Sequence, residues 1–284
     1  MAIKVRHVGK LGDIVYAMAA MRGLCMTTRE RVDVVLNRFR GSRDRPNQWN
    51  EWLTRDEAES IKTLLDSQKG YIAHVDIEDE PPPDAEEEFV DVSYEPWVSN
   101  RLLELDNLAR SACHFSRIDA RFAGDKWLEV TAERDAAVYV AWTGRYPNKS
   151  QAALWQAIAD EIPDDAVFIG TPTDKKIFEV ELIGKELAPR AEWFHDFNDA
   201  AKKIAGCDLL YASQTSMLAI AHGLGKPVVV ETSSRFPDCI FLRPNAHYMG
   251  LLDHLRTRCG VRCAYAEELG AAPSINDSPS SEHS

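Results

Sequence analysis

Residues 3–24 read IKVRHVGKLGDIVYAMAAMRGL, and the fold follows from this stretch. Residues 3–8 alternate and are β-branched, which predicts a strand. Residues 9–13 form a short glycine loop. From Ile14 the apolar residues recur at helical spacing (Ile14, Met18, Met21, Cys25), which predicts a helix over 14–26. A strand that feeds a helix through a glycine loop is the opening unit of a layered α/β domain. Glycines in such a loop let the backbone approach a ligand closely. The free N–H groups of the helix start attract an anion. Asp13 stands in that first turn, where the helix dipole stabilises a carboxylate. It reads either as a cap or as a functional carboxylate. The spacing is GxxG and not the GxGxxG of dinucleotide binding, so an NAD site is not indicated.

The alternation continues outward from this unit. Strands are expected at 32–36 and 71–75, and helices at 55–65 and 98–113. After Trp127-Leu128-Glu129-Val130 the pattern restarts, with strands at 137–142, 166–169, 209–212 and 228–230. Helices are expected at 151–159 with Ser150 as cap, near 176–185 after a turn at Thr173, at 198–204 and at 217–222. The expected organisation is an α/β unit over 1–130, a second over 131–265 and a polar, disordered tail over 266–284. Ligands in such sheets bind outside the carboxyl ends of the strands, here in a cleft between the halves.

Two later strand-to-helix turns share the character of the first. Trp142-Thr143-Gly144-Arg145-Tyr146-Pro147-Asn148-Lys149-Ser150 offers a hydroxyl, a glycine and two cations, a plausible cradle for a diphosphate. It lacks the Gly-Lys-Ser/Thr order of a Walker A loop, and an ordinary exposed loop is the competing reading. Ala212-Ser213-Gln214-Thr215-Ser216-Met217 offers hydroxyls and backbone N–H groups for a second phosphate contact, with simple helix capping as the competitor. Three such turns spread over both halves are more specific together than any one alone.

Composition narrows the function classes. The chain has 284 residues, 33 Lys and Arg against 45 Asp and Glu, and a formal charge of −12. Residues 76–95 (DIEDEPPPDAEEEFVDVSYE) hold ten of the acids and no Lys or Arg, and read as a solvated connector or as a lid facing a basic cleft. Without them the balance is 33 basic against 35 acidic residues. The first 45 residues carry ten Lys and Arg against four acids. A general nucleic-acid coat is excluded, because it needs clustered cations over the surface. A local basic site is not. No apolar run reaches the ~18 residues a membrane span needs, and a cytoplasmic location is expected. Six scattered cysteines make no disulfide framework, and Cys259 and Cys263 alone do not complete a metal site.

At the level of motifs, HVGKLGDIVYAMAAMRGL (7–24) resembles the amino-terminal signature of family-nine glycosyltransferases, the group related to the lipopolysaccharide heptosyltransferases. CDLLYASQTSMLAIAHGLGKPVVV (207–230) resembles their carboxy-terminal signature, and AVYVAWTGRYPNKS (137–150) resembles the loop that opens their second domain. The resemblance implies a GT-B fold, two Rossmann-like domains with parallel sheets facing a central cleft. It implies metal-independent transfer of a sugar from a nucleotide-diphosphate sugar to an acceptor hydroxyl, with no separate cofactor. Asp13 matches the general base. Thr143, Lys149, Thr215 and Ser216 match the donor and phosphate side, where Gly12, Arg145 and Gln214 are further candidates, and Lys10, Arg38 and Arg40 are acceptor-side candidates.

The sequence departs from the family where Gln214 replaces an Asp, Ser216 a Gly and Ala219 a His. His222, one turn on, is either a substitute or a packed helix residue. The acceptor is open between a saccharide of lipopolysaccharide type and a modified DNA base, for which Arg38 to Arg45 would contact phosphates. Two other classes stay in view. One is a sugar-nucleotide-binding protein without catalysis, the other an epimerase or hydrolase on the same fold.

Overall fold

The computed structural model describes residues 3–41, 49–79, 90–92, 107–124, 126–144, 151–192, 194–231, 239–241 and 243–249. Its first sheet joins β1 (Ile3–His7), β2 (Val32–Asn37), β5 (Ile72–Glu78) and β6 (Val90–Asp91), in the order β5-β2-β1-β6. All its pairs are parallel. A short antiparallel hairpin, β3 (Phe39–Gly41) and β4 (Trp49–Glu51), follows β2. The second sheet comprises β7 (Val138–Ala141), β8 (Val167–Ile169), β9 (Ala191–Glu192), β10 (Leu209–Ala212), β11 (Val228–Glu231) and β12 (Ala246–Met249). It is fully parallel in the order β12-β11-β10-β7-β8-β9. That is the doubly wound order, whose direction reverses between β7 and β10. In the first sheet the reversal falls between β1 and β6. The three turns singled out by sequence follow β1, β7 and β10, so each leaves its sheet at a reversal point.

The helices are α1 (Leu11–Thr28), α2 (Arg55–Ser67), α3 (Leu108–Phe115), α4 (Gln151–Ala157), α5 (Pro172–Ile177), α6 (Phe197–Gly206) and α7 (Ser216–Leu224). Helix α1 starts at Leu11 and not at Ile14, so Gly12 and Asp13 belong to its first turn. Its residues Ile14 to Met21 are all buried. A helix apolar all round must be covered on every side, and α1 packs against β2, α3 and α7. One hydrophobic core therefore runs from Val5, Val34 and Leu64 of the first half to Ile204, Leu210 and Leu218 of the second. A smaller core of Trp142, Trp155, Phe168 and Phe178 covers the other face of the second sheet.

The link between the sheets is built into this core. Trp127 is fully buried; its indole N–H donates to Val15 O at 2.9 Å, and its carbonyl accepts from Tyr71 Oη at 2.8 Å. Backbone N–H groups of Trp127 and Leu128 donate to Gly223 O on α7. A Cβ at Gly223 would lie 2.7 Å from Leu128 Cγ, so only glycine lets the link lie against α7.

The acidic stretch differs from its reading as a connector. Its first residues are β5 and its residues 90–91 are β6, because parallel pairing with β2 and β1 satisfies backbone that a free loop would leave to water. Residues 80–89 lie outside the described residues, as do 98–106 of the expected long helix, Ser150, Cys259, Cys263 and the tail.

Candidate active site

The carboxyl ends of both sheets open on one cavity of about 1070 Å³. Lys10, Gly12 and Asp13 line it from the first turn, Thr143 from the second, and Gln214, Thr215 and Ser216 from the third. Arg145 and Lys149 lie outside the described residues. The starts of α1 and α7 meet here: a Cβ on Gly12 would sit 3.7 Å from Ser216 Cα. The second and third turns are tied across the reversal point. The backbone N–H of Thr143 donates to Ser213 Oγ at 3.2 Å, and that of Ser213 to Ala141 O at 3.0 Å.

The two helix starts are finished differently. In α1, Asp13 Oδ2 accepts the Lys10 backbone N–H at 3.1 Å, so a full negative charge stands at the positive end of the helix. In α7 the cap is the neutral Thr215 hydroxyl, which accepts from the Leu218 N–H at 3.3 Å. Among the described residues the first turn of α7 carries no acid. An anion is therefore opposed at the start of α1 and favoured at the start of α7.

His7 ends β1 beneath Asp13. Burial pushes its pKa down to about 3, with the Asp13 backbone opposing part of that shift, so the ring is neutral at pH 7. A Cβ on Gly9 would lie 2.4 Å from His7 Cε1, which requires glycine there. His222 is a packing residue. It is buried, stacks on Phe241 at a centroid distance of 4.3 Å, and does not line the cavity. Burial, with the nearby Arg243 guanidinium, holds its pKa well below the usual histidine value.

The three acceptor-side candidates fall in different places. Arg38 does not line the cavity. Its guanidinium pairs with Asp79 and Glu51 and its Nε donates to Leu53 O at 3.2 Å, with 12% of the side chain exposed. The fold brings Asp79, just past the acidic end of β5, onto Arg38 and pairs the two charges. Lys10 lines the cavity but is also committed. Its ammonium donates to Trp52 O, lies 4.0 Å from Glu57 and sits 5.4 Å from the centre of the Trp52 ring. Arg40 is in β3.

The structure adds wall residues that the sequence reading missed. Trp52, Asp56, Glu57, Glu59, Ser60 and Thr63 come from α2 and the residues before it. Gly170 and Asp174 come from the turn after β8, and His195 and Asp196 from the segment before α6. The Gly170-Thr171-Pro172-Thr173-Asp174 turn carries the same glycine-and-hydroxyl signal as the other three. Asp196 closes the wall: it caps Asn198 and Asp199 and accepts from Thr63 Oγ1 at 2.7 Å, bridging α2 and α6.

No family model matches the sequence, and no curated protein matches it. Solved structures do match. TibC from enterotoxigenic E. coli, a bacterial iron-containing dodecameric glycosyltransferase, is 16% identical with a TM-score of 0.55, over 86% of this chain and 61% of its own. The chain thus spans less than two thirds of TibC. TibC with ADP-D-β-D-heptose, where it is described as a heptosyltransferase, also gives 0.55 at 15% identity, over 86% of this chain and 62% of its own. A family-nine glycosyltransferase from Veillonella parvula is 11% identical with a TM-score of 0.54, over 87% of this chain and 85% of its own. At these identities the likeness establishes the fold: two parallel α/β units facing a cleft, as in family-nine glycosyltransferases. Among the described residues, no three His, Cys, Asp or Glu side chains are grouped to hold a metal ion. No described helix is long and apolar enough to cross a membrane.

Proposed function

We propose that this protein, with the fold of family-nine glycosyltransferases, moves a sugar from a nucleotide-diphosphate sugar to an acceptor hydroxyl. The observation that carries the reading is the meeting of the α1 and α7 starts in one cavity, one ending in a carboxylate and the other in the hydroxyl residues Thr215 and Ser216. The α7 side suits a diphosphate and the Asp13 side suits a hydroxyl that must lose a proton. We read the second half as the donor side and the first as the acceptor side.

In this scheme the acceptor O–H gives its proton to the Asp13 carboxylate while its oxygen bonds to the anomeric carbon of the sugar. The bond from that carbon to the diphosphate oxygen breaks, and its electron pair leaves with the nucleoside diphosphate. Backbone N–H groups at α7, with Thr215 and Ser216, stabilise the charge that develops there. Arg145 and Lys149 are the cations expected from sequence to assist. The chemistry requires a proton acceptor and fixed positive potential, both within the protein's own means, so the transfer is read as metal-independent. We assign it to the cytoplasm, where nucleotide sugars are made.

A panel of ADP-, UDP- and GDP-sugars tested by thermal shift identifies the donor, since a ligand of the folded state raises the melting temperature by mass action. ADP-sugars head the panel because of the TibC complex. Asp13→Asn should keep the thermal shift and lose turnover by about 100-fold or more, the scale of a lost general base. Donor binding with turnover unchanged by that substitution refutes the role of Asp13. Binding without any turnover in the unaltered protein favours a sugar-nucleotide-binding protein instead.

A further inference from the structure

We infer that the acceptor is an uncharged, hydroxyl-rich glycan and bears no phosphate near its reacting hydroxyl. The inference rests on the transfer reading above and narrows it to one acceptor class, recognised by Trp52, Asp56, Glu59 and Ser60.

Among the described residues, the first-half wall of the cavity presents Asp13, Asp56, Glu57 and Glu59 against the ammonium of Lys10. Lys10 is already held by Trp52 O and faces Glu57. The described arginines beside this wall are already paired: Arg55 with Glu59 of the wall and with Asp79, and Arg38 with Asp79 and Glu51. Asp56, exposed in the first turn of α2, has no hydrogen-bond or ion-pair partner among the described residues. A phosphate brought to this wall meets carboxylates with no described cation to spare, and like charges juxtaposed across an interface are strongly unfavourable. A neutral sugar meets the opposite situation, because ionised carboxylates are pure acceptors and sugar hydroxyls are donors.

A second observation points to a ligand at the same wall. Ser60 lines the cavity at 9% exposure, and its Oγ has no hydrogen-bond partner among the described residues. A buried hydroxyl left unmatched costs stability, and a hydroxyl group of a bound glycan would satisfy it. In the same wall the half-buried indole of Trp52 supplies an aromatic surface for the C–H face of a sugar ring.

The test uses the full chain with the donor found by thermal shift and three sets of probes. These are neutral p-nitrophenyl hexopyranosides, their 6-phosphates, and a DNA duplex containing 5-hydroxymethylcytosine. Saturation-transfer NMR reads binding and nucleotide release reads turnover. Neutral probes should bind and react at least tenfold better than their 6-phosphates and the duplex. Asp56→Lys should move that ratio toward the 6-phosphates by about tenfold, with Asp56→Asn intermediate, while the donor's thermal shift stays as it was. A 6-phosphate or duplex that matches the neutral probes, a neutral panel that does not bind, or a ratio indifferent to Asp56 overturns the inference and leaves donor use standing. Failure of every nucleotide sugar to stabilise the protein removes the transfer reading itself.

Discussion

The α1 and α7 starts face one another in the same cavity and follow the same grammar: a strand, a tight turn, then a helix. They differ in one choice. α1 carries its own counter-charge in Asp13, and α7 is capped by a hydroxyl. A helix that has supplied its own anion has little to offer another. A helix capped by a neutral group keeps its potential for a ligand. The pair teaches that a strand–glycine–helix turn is not by itself a phosphate site, and that the charge of the capping group assigns the roles of two such turns.

The most damaging way to break the pair is to unseat what holds both helices. Trp127→Ala removes a fully buried side chain and its bond to Val15 O, and should cost about 3–5 kcal/mol in chemical denaturation. A loss under about 1 kcal/mol would mean that the link does not support both halves. Making the starts alike comes next. Ser216→Asp should weaken donor binding by about tenfold or more, because a carboxylate now occupies the anion's place. It should also raise folding stability by about 0.3–1 kcal/mol. Donor affinity unchanged by that substitution would move the diphosphate away from α7.

Acid sharpens the comparison through the histidines beneath each side. His7 and His222 have folded pKa values depressed by burial, while in the unfolded chain they take up protons below about pH 6.5. Lowering the pH from 6.5 therefore favours the unfolded state, by about 1.4 kcal/mol per pH unit for each ring. For His7 this continues until its folded pKa near 3. Denaturation at pH 7 and pH 5 should show the loss, and His222→Gln should reduce the slope by about half. The smallest effects concern the rim and metals. Thr63→Val, which cuts the bond to Asp196, should cost about 1 kcal/mol. Chelation should leave turnover unchanged; a loss restored by a metal ion would revise the reading of charge stabilisation.

The sequence exposed the parts whose signal is local. Periodicity and turn chemistry reveal β1, α1, β7, β10 and α7, and with them Gly12, Asp13, Thr143 and residues 214–216 in one cavity. The two-residue strands β6 and β9 are too short for a period to register, and the Ala-His-Tyr-Met of β12 has no β-branched run; all three pair with a parallel neighbour. The α2 wall shows the other limit. The capping box of Thr54 and Glu57 is readable as a helix start, but nothing in it says that Trp52 and Ser60 will face a cavity. Arg38 shows the converse, since a residue that reads as part of a basic stretch becomes ion-paired once β5 lies beside β2.

The shared core has a practical consequence for engineering. Cutting the chain between the sheets would strip α1 of its cover and expose a stripe from Ile14 to Met21, together with the slot that Trp127 fills. Neither piece would remain dispersed in water as a folded unit. Exchanging first halves between proteins of this fold would therefore need α1, the 126–136 link and α7 to travel together as one cassette.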